Sequence, residues 1–334
     1  MAANYPFATI EPNSGVVPIP DPRLDELAKL YYAKKIVPAT VEFTDIAGLV
    51  AGASTGEGLG NKFLSHIRQC AAIVQVVRDF TDTNVIHVDN NLSPRCDIDV
   101  INTELVLADL QTITKVLPRL EKEARADAKL RPKAEIAVKV KDYLDSGKPL
   151  YDNADLRQAS IEHLHDLQLL TAKPIIYLFN VDETTLTDTQ KQTELMQLVA
   201  PNQALFVNAK LEDELRSLDE ADRTMMLAEY GVKESGLIQL IHAAYETLGL
   251  QSYLTAGEKE VRAWTIPKNA TTPQAAGVIH GDFERGFIAA DIVDYADLIE
   301  AGSLSAARAA GKVRTEGKTY VMQPNDIVEF RFNV

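Results

Sequence analysis

The sequence predicts an α/β fold: a parallel, doubly wound sheet that carries an inserted helical hairpin and is followed by a smaller α+β domain. The first observation is that short, apolar, β-rich runs alternate with segments of helical spacing, which is typical of parallel strands covered by helices. The strand candidates are 39–45, 72–77, 175–179 and 204–207, and a helix candidate covers 61–70.

The second observation is a long stretch without strand patterns, from about Asp97 to Leu170. Its apolar residues from Val100 to Leu120 recur at helical spacing, and another helical run follows Pro132. Two long helices joined by a polar turn predict an antiparallel hairpin. Because strands resume after it, the hairpin is expected to be an insertion into the α/β domain.

The third observation is a change of pattern near the C-terminus. Segments 260–267 and 326–334 alternate as strands, and the runs 272–279 and 303–310 between them have helical spacing. This combination predicts a small α+β domain that starts near Ser252.

Composition excludes several classes of protein. The chain of 334 residues has 34 lysines and arginines against 48 acidic residues, so its formal charge is −14, which argues against a generally basic nucleic-acid binder. Two cysteines, Cys70 and Cys96, are too few for a disulfide framework or a cysteine-rich zinc site, which favours the reducing cytoplasm. No apolar run approaches the roughly 20 residues of a membrane span, and the N-terminus lacks the features of a signal peptide.

The tetrapeptide Asp45-Ile46-Ala47-Gly48 is the most informative motif. A carboxylate at the end of a buried strand can hold the water shell of Mg²⁺, and the Gly48 amide can then approach a γ-phosphate. The alternative interpretation is an ordinary strand followed by a turn, and the tetrapeptide taken alone favours that alternative.

Two further loops follow predicted strands. Asn180-Val181-Asp182-Glu183 has the Asn-x-x-acid pattern with which P-loop NTPases contact the base, and Asn208-Ala209-Lys210 would bring backbone amides beside the ring. The usual guanine-binding pattern is N-K-x-D, so Val181 and Glu183 weaken the case for guanine selectivity. Each loop alone is better explained as a solvated connection, but with Asp45 they occur in the order expected of a nucleotide site.

These motifs resemble those of the Obg-like ATPase (YchF) family of translation-factor-class P-loop NTPases. The matching segments span nearly the whole chain and are 5–13, 45–50, 56–61, 180–183, 261–265 and 332–334. The resemblance implies a P-loop NTPase-type G domain over 1–96 and 172–250, an α-helical coiled-coil insertion over 97–171 and a C-terminal α+β TGS domain over 251–334. It also implies ATP preferred over GTP, Mg²⁺ as cofactor and association with the ribosome.

One motif of that family does not occur in the sequence. The phosphate-binding loop G-x-x-x-x-G-K-[ST] is absent, and the nearest segment, 311–319, has five residues between its glycines. The family's first strand, this loop and the first helix are expected to precede Ala2, over roughly 30 residues. In that family the first strand lies between the third and fourth strands of the sheet, so we expect each of those two strands to lack one hydrogen-bonding partner in this chain. Because the phosphate-binding loop is also missing, we expect the chain to bind nucleotide poorly.

The resemblance also implies roles for single residues. Thr9 matches the switch I threonine, which would complete the Mg²⁺ sphere, while Asp45 would act on Mg²⁺ through water. Leu49 stands where Ras-like enzymes have the glutamine that orients the attacking water, and leucine cannot do this. Our candidate for that role is His87, as a neutral imidazole that orients or deprotonates water. The alternative for His87 is a partly buried loop histidine.

The segment 115–141 is basic. It has nine basic and four acidic side chains, a charge of +5, which leaves −19 for the remainder of the chain. Positive charge on a protruding hairpin predicts a contact with the rRNA backbone, and the alternative is an ordinary solvated helix face. The candidate contact residues are Lys115, Arg119, Lys122, Arg125, Lys129 and Arg131.

Together these observations predict a monomeric, ribosome-associated switch protein that hydrolyses ATP and, less well, GTP with Mg²⁺. The expected partner is the large ribosomal subunit, and no membrane partner is expected. The rival hypothesis, from a different class, is a non-enzymatic module that binds the ribosome, RNA or a protein, because the phosphate-binding loop is missing.

Overall fold

The structure, a computed structural model, describes residues 13–46, 59–80 and 93–333, apart from the side chains of 59–61. The described residues form two compact units. The first is built on Thr44–Leu240, and the second combines Gly15–Phe43 with the chain from Ile241 onward.

Strands and helices alternate along most of the described chain. The strands are β1 (Asn13–Pro18), β2 (Ile36–Val37), β3 (Thr40–Asp45), β4 (Ile73–Asp79), β5 (Ile175–Val181), β6 (Gln203–Val207), β7 (Leu250–Ala256), β8 (Val261–Pro267), β9 (Phe287–Asp294), β10 (Arg314–Glu316) and β11 (Asp326–Phe332). The helices are α1 (Pro22–Tyr31), α2 (Leu59–Gln69), α3 (Pro94–Ala126), α4 (Arg131–Asp145), α5 (Ala154–Leu164), α6 (Thr189–Val199), α7 (Ala209–Leu215), α8 (Glu220–Glu229), α9 (Gly236–Thr247), α10 (Thr272–Ile279), α11 (Gly281–Arg285), α12 (Tyr295–Ala301) and α13 (Leu304–Ala309).

The three-stranded sheet of the first unit is parallel, as predicted, in the order β4-β5-β6. Ile73 is in register with Ile175, and Phe179 is in register with Phe206, against whose ring it stacks at 5.6 Å. Six of the seven β5 side chains are buried, as expected of a parallel strand that is covered on both faces.

Strands β3 and β4 are not paired with each other. Among the described residues, β4 is hydrogen-bonded only to β5, while β3 forms a two-stranded sheet with β1. Val76 of β4 is 65% exposed. These are the two strands for which the sequence predicts a missing ladder partner.

The predicted helical hairpin is formed by α3 and α4. Ser93 caps α3 by accepting a hydrogen bond from the Cys96 amide at 3.4 Å. The apolar stripe of α3, which includes Ile113 and Leu120, lies in one buried cluster with Val140 and Leu144 of α4. With 33 residues, α3 extends over about 50 Å, so the turn between α3 and α4 lies far from the sheet.

Hydrogen bonds attach the base of the hairpin to the sheet. Asp109 of α3 accepts from the backbone amides of Leu170 and Thr171, in the turn that leads into β5. The Tyr151 hydroxyl donates to Asn102 of α3 at 2.6 Å. The hairpin is therefore anchored beside the strand whose end carries one of the predicted nucleotide loops.

The second unit contains a six-stranded sheet in the order β10-β9-β11-β7-β8-β2. Its edge strand β2 comes from the N-terminal part of the chain and runs parallel to β8, with Ile36 in register with Val261. Helix α1 buries Leu24 and Leu27 completely or nearly so. The Arg23 guanidinium of α1 donates to the Pro324 carbonyl at 2.7 Å, so the segment 15–43 is an integral part of this unit.

This arrangement differs from the division that the family resemblance implies, in which 1–96 lie together in the G domain and the C-terminal domain begins at residue 251. Segment 15–43 belongs to the second unit because the apolar side of α1 is buried there and β2 is hydrogen-bonded to β8. A two-residue strand has too short a pattern to indicate which sheet it joins.

Among the described helices, none is both long enough and apolar enough to cross a membrane.

Candidate nucleotide site and basic hairpin

Asparagine side chains connect the ends of β5 and β6. Asn180 Oδ1 accepts a hydrogen bond from the Ala209 backbone amide at 3.1 Å. Asn208 Nδ2 donates to the Val181 carbonyl oxygen at 2.9 Å. The two loops that the sequence predicts to be base-side loops therefore lie together at the carboxyl end of the parallel sheet, where open α/β sheets bind ligands.

Asn208 also begins α7. Its Oδ1 accepts from the Leu211 amide at 2.9 Å, which is the usual N-cap hydrogen bond. Asn208 is buried, so both ends of its side-chain amide hold the loop in place. The Lys210 side chain is 77% exposed and its Nζ lies 4.0 Å from Glu214 Oε1, so it remains at the surface of this loop.

Asp182 organises the loop that follows β5. Its Oδ1 accepts from the Thr185 amide and from the hydroxyls of Thr184 and Thr185, at 2.8–2.9 Å. These hydrogen bonds, that of the Thr185 amide first, hold the pKa of Asp182 below its usual range. Glu183 is exposed, whereas the Val181 side chain is buried in the sheet core. Val181 can therefore contact a ligand only through its backbone.

A buried carboxylate ends β4 and is not among the candidates predicted from the sequence. Asp79 Oδ2 lies 3.6 Å from Lys191 Nζ of α6. Burial raises the pKa of Asp79, and the attraction of Lys191 offsets this only in part. The same signal that indicates Asp45, an acid that ends an apolar strand, also indicates Asp79.

The predicted metal and catalytic residues fall partly outside the described chain. Asp45 ends β3 with an exposed side chain, and a carboxylate is the type of donor that Mg²⁺ prefers. Thr9, Gly48 and His87 lie outside the described residues. Within the described ranges, no group of three or more His, Cys, Asp and Glu side chains could hold a metal ion. Asp45 thus contributes one suitable carboxylate, not a complete set of ligands.

The basic candidates of the hairpin are all at least partly exposed; they are Lys115, Arg119, Lys122, Arg125, Lys129 and Arg131. Arg119 lies 3.7 Å from Glu123, while the other five form no ion pair with a described residue. Nearer the base of the hairpin, Lys133 pairs with Asp166 at 2.9 Å. Unpaired positive charge is therefore concentrated toward the turn between α3 and α4.

The three parallel strands and the loops at their carboxyl ends have the arrangement of a P-loop GTPase-type α/β domain. A family model described as a 50S ribosome-binding GTPase (MMR_HSR1) matches residues 1–107. The model YchF-GTPase_C, described as a protein of unknown function, matches residues 250–333. Together with a full-length similarity to YchF proteins of other organisms, these matches show that the chain belongs to the YchF family.

The similarity to members of this family extends over the full chain. The ribosome-binding ATPase YchF of Bacillus subtilis (strain 168) is 48% identical over 341 residues, which cover 100% of this chain and 92% of that protein. The protein of the same name from Escherichia coli O157:H7 is 46% identical with the same coverage. The solved structure of the Schizosaccharomyces pombe YchF GTPase is 39% identical, with a TM-score of 0.83, and the match covers 98% of this chain and 90% of that one.

Proposed function

We propose that this chain is a ribosome-associated switch protein of the cytoplasm that binds ATP, and less well GTP, with Mg²⁺ and hydrolyses it. The observation that carries the nucleotide part is the Asn180–Ala209 hydrogen bond. It supports the proposal because it holds together the two loops that would surround the base in a P-loop NTPase.

The residues after β5 and β6 have two kinds of proposed role. Asn180 and Asn208 are positioning residues, since their side chains hydrogen-bond the opposite loop. The exposed Glu183 carboxylate is the proposed acceptor for the base, and the backbone of Val181, Ala209 and Lys210 would lie beside the ring. This division predicts that Glu183 affects the choice of base, whereas the asparagines affect affinity for any nucleotide.

The remaining roles concern the phosphates. Asp45 and Thr9 would hold Mg²⁺, and the Gly48 amide would contact the γ-phosphate. When bound, Mg²⁺ would neutralise charge that develops on the transferred phosphoryl group. His87 would orient or deprotonate the attacking water.

The hairpin is the proposed ribosome contact. The relatives of this chain are named ribosome-binding ATPases, and the exposed cations near the hairpin turn fit the phosphate backbone of rRNA. Because the rest of the chain carries a net charge of −19, its overall field would favour approach of rRNA to the hairpin. We expect a monomer to bind the large subunit in this way.

ATP hydrolysis, measured with and without ribosomes, tests the enzymatic part. Asn180→Ala should weaken the affinity for a fluorescent ATP analogue, since the Ala209 loop loses its anchor. In a chain to which the phosphate-binding loop has been restored, His87→Ala should lower the hydrolysis rate and leave that affinity unchanged. Lys233→Glu, a charge change on a surface lysine, is the control. If the chain neither binds nor hydrolyses Mg²⁺-ATP, the enzymatic proposal is refuted.

A second candidate function has its own supporting observation, the absence of G-x-x-x-x-G-K-[ST] from the sequence. Without this loop the phosphates have no amide cradle and no lysine. Ribosome co-sedimentation without nucleotide binding would establish the rival, a non-enzymatic ribosome-binding module. Co-sedimentation that depends on ATP would exclude it.

A further inference from the structure

An exposed tyrosine lies on the second unit, directly after α1. Tyr32 is 89% exposed, the largest exposed fraction of any large apolar side chain in the described part of the chain. Its ring therefore contributes little to the core. An aromatic side chain normally stabilises a fold through the apolar area that it buries, and an exposed ring makes no such contribution.

The backbone of Tyr32 is also unfavourable for tyrosine. The residue has φ 50° and ψ 42°, the left-handed conformation of a helix C-cap, and its amide donates to the Ala28 and Lys29 carbonyls. Glycine or asparagine is usual at such a position because a larger side chain is strained there. Neither burial nor backbone preference accounts for a tyrosine at this position.

Lysines surround this ring in the sequence and lie at the surface. Lys29, Lys34 and Lys35 form no ion pair with a described residue. The Lys34 amide donates to the Glu258 carbonyl, so the turn before β8 lies alongside. Segments 29–35 and 258–262 together have five basic and two acidic side chains, a local charge of +3 in a chain of −14. We call Lys29, Tyr32, Lys34 and Lys35 the Tyr32 patch.

We infer that the Tyr32 patch binds single-stranded RNA, with the tyrosine ring stacked on an unpaired base and the lysines on the flanking phosphates. An exposed aromatic ring with exposed lysines at neighbouring positions of the chain has the chemistry with which proteins bind single strands. A duplex keeps its bases stacked on one another and offers the ring no free face. This site lies on the second unit, includes none of the hairpin residues and does not depend on nucleotide hydrolysis.

The test is fluorescence anisotropy of the full chain with a labelled single-stranded RNA of about 12 nucleotides and with the matching duplex. Tyr32→Ala should weaken single-strand binding by roughly 5- to 150-fold, the usual effect of losing one stacked base. Tyr32→Phe keeps the ring and should bind like the original chain. Reversing Lys34 and Lys35 to Glu should make the salt dependence shallower by about 0.7 for each phosphate that the lysines no longer neutralise, and Lys233→Glu is the charge control.

Tyr32→Asn separates binding from folding. Asparagine tolerates the left-handed conformation, so the melting temperature should be equal or higher, while RNA affinity falls as in Tyr32→Ala. The Tyr32-dependent part of the affinity should persist after Lys122, Arg125 and Lys129 of the hairpin are reversed to Glu. In that hairpin-reversed chain, unchanged affinity after Tyr32→Ala, equal binding of the duplex, or equally strong competition by polyglutamate would overturn the inference.

Discussion

The carboxylate of Asp109 holds Thr171 by two hydrogen bonds. Its Oδ2 accepts from the Thr171 backbone amide at 2.7 Å and from the Thr171 hydroxyl at 2.8 Å. Asp109 is completely buried on α3, and Thr171 lies just before β5. The position of the hairpin relative to the loop after β5 therefore depends in part on this carboxylate.

We expect Asp109→Asn to destabilise the protein by about 1–3 kcal/mol. Asparagine has an NH₂ group where aspartate has one of its two carboxylate oxygens. This donor would face the backbone amide of Leu170 or Thr171, and that amide would lose its acceptor. Urea unfolding measures the effect. Asp99→Asn, an exposed position on the same helix, is the matched control and should stay within about 0.5 kcal/mol of the original chain. Equal losses at the two positions would contradict the assignment.

The same residue predicts a dependence of stability on pH. Burial raises the pKa of Asp109 to about 6, and its hydrogen bonds to Thr171 and Leu170 oppose this only in part. In the unfolded chain the pKa is about 4, so between about pH 4 and 6 the folded state holds more protons. The contribution of Asp109 therefore falls as pH rises through this window, by up to about 3 kcal/mol, and is constant above it.

Free energies of unfolding for the original chain and Asp109→Asn, measured across that window, check this sign. The advantage of the original chain should shrink as pH rises, because only the aspartate can lose a proton. A difference that does not change with pH would show that the folded and unfolded pKa values of Asp109 are the same.

Asn208 should matter for both stability and nucleotide affinity. Asn208→Ala removes the α7 cap and the bond to the Val181 carbonyl, at a cost of about 1–2 kcal/mol for the cap alone. Asn208→Asp keeps the cap acceptor and removes only the donor to Val181. If the hydrogen bond from Asn208 to Val181 positions the base, Asn208→Asp should melt close to the original chain and well above Asn208→Ala, but should bind a fluorescent ATP analogue as weakly as Asn208→Ala does. Full affinity in Asn208→Asp would argue against that connection.

Ribosome binding should weaken steeply with salt if the hairpin contacts rRNA. Reversing Lys122, Arg125 and Lys129 to Glu should make the plot of log affinity against log salt shallower by about 0.7–0.9 for each phosphate that is no longer neutralised. Co-sedimentation over a salt series measures this slope. Reversal of Lys148 and Lys233, which lie outside this group, should leave the slope intact. A slope that is flat in the original chain would count against an RNA contact.

Gly286 should be needed for the end of β11. A β-carbon at this position would collide with the Asn333 carbonyl, and the Asn333 amide donates to the Gly286 carbonyl at 2.9 Å. Gly286→Ala should therefore destabilise the protein by about 1–3 kcal/mol. Gly281→Ala, where nothing lies within 4 Å of the new carbon, is the control for adding a methyl group. Thermal unfolding compares them, and similar melting temperatures would refute the close approach.

Local patterns were sufficient for much of the fold. The strands β4, β5 and β6 and helix α10 were predicted within about two residues, because each buries a repeating apolar pattern that is visible in its own sequence. The loops after β5 and β6 were predicted as one site for the same reason, since polar residues end two apolar runs. The connection between Asn180 and Ala209 was not predicted, because nothing within either loop specifies a partner 29 residues away.

Composition and motif order alone established the family resemblance, the missing phosphate-binding motif and the uneven distribution of charge. These are properties of the covalent chain and need no coordinates. The three-dimensional packing decided that 15–43 belongs with the C-terminal strands, that Lys133 is paired while Lys122 and Arg125 form no ion pair with a described residue, and that Tyr32 faces water. A side chain's burial and ion-pair partners depend on residues distant in sequence, which come together only when the chain packs.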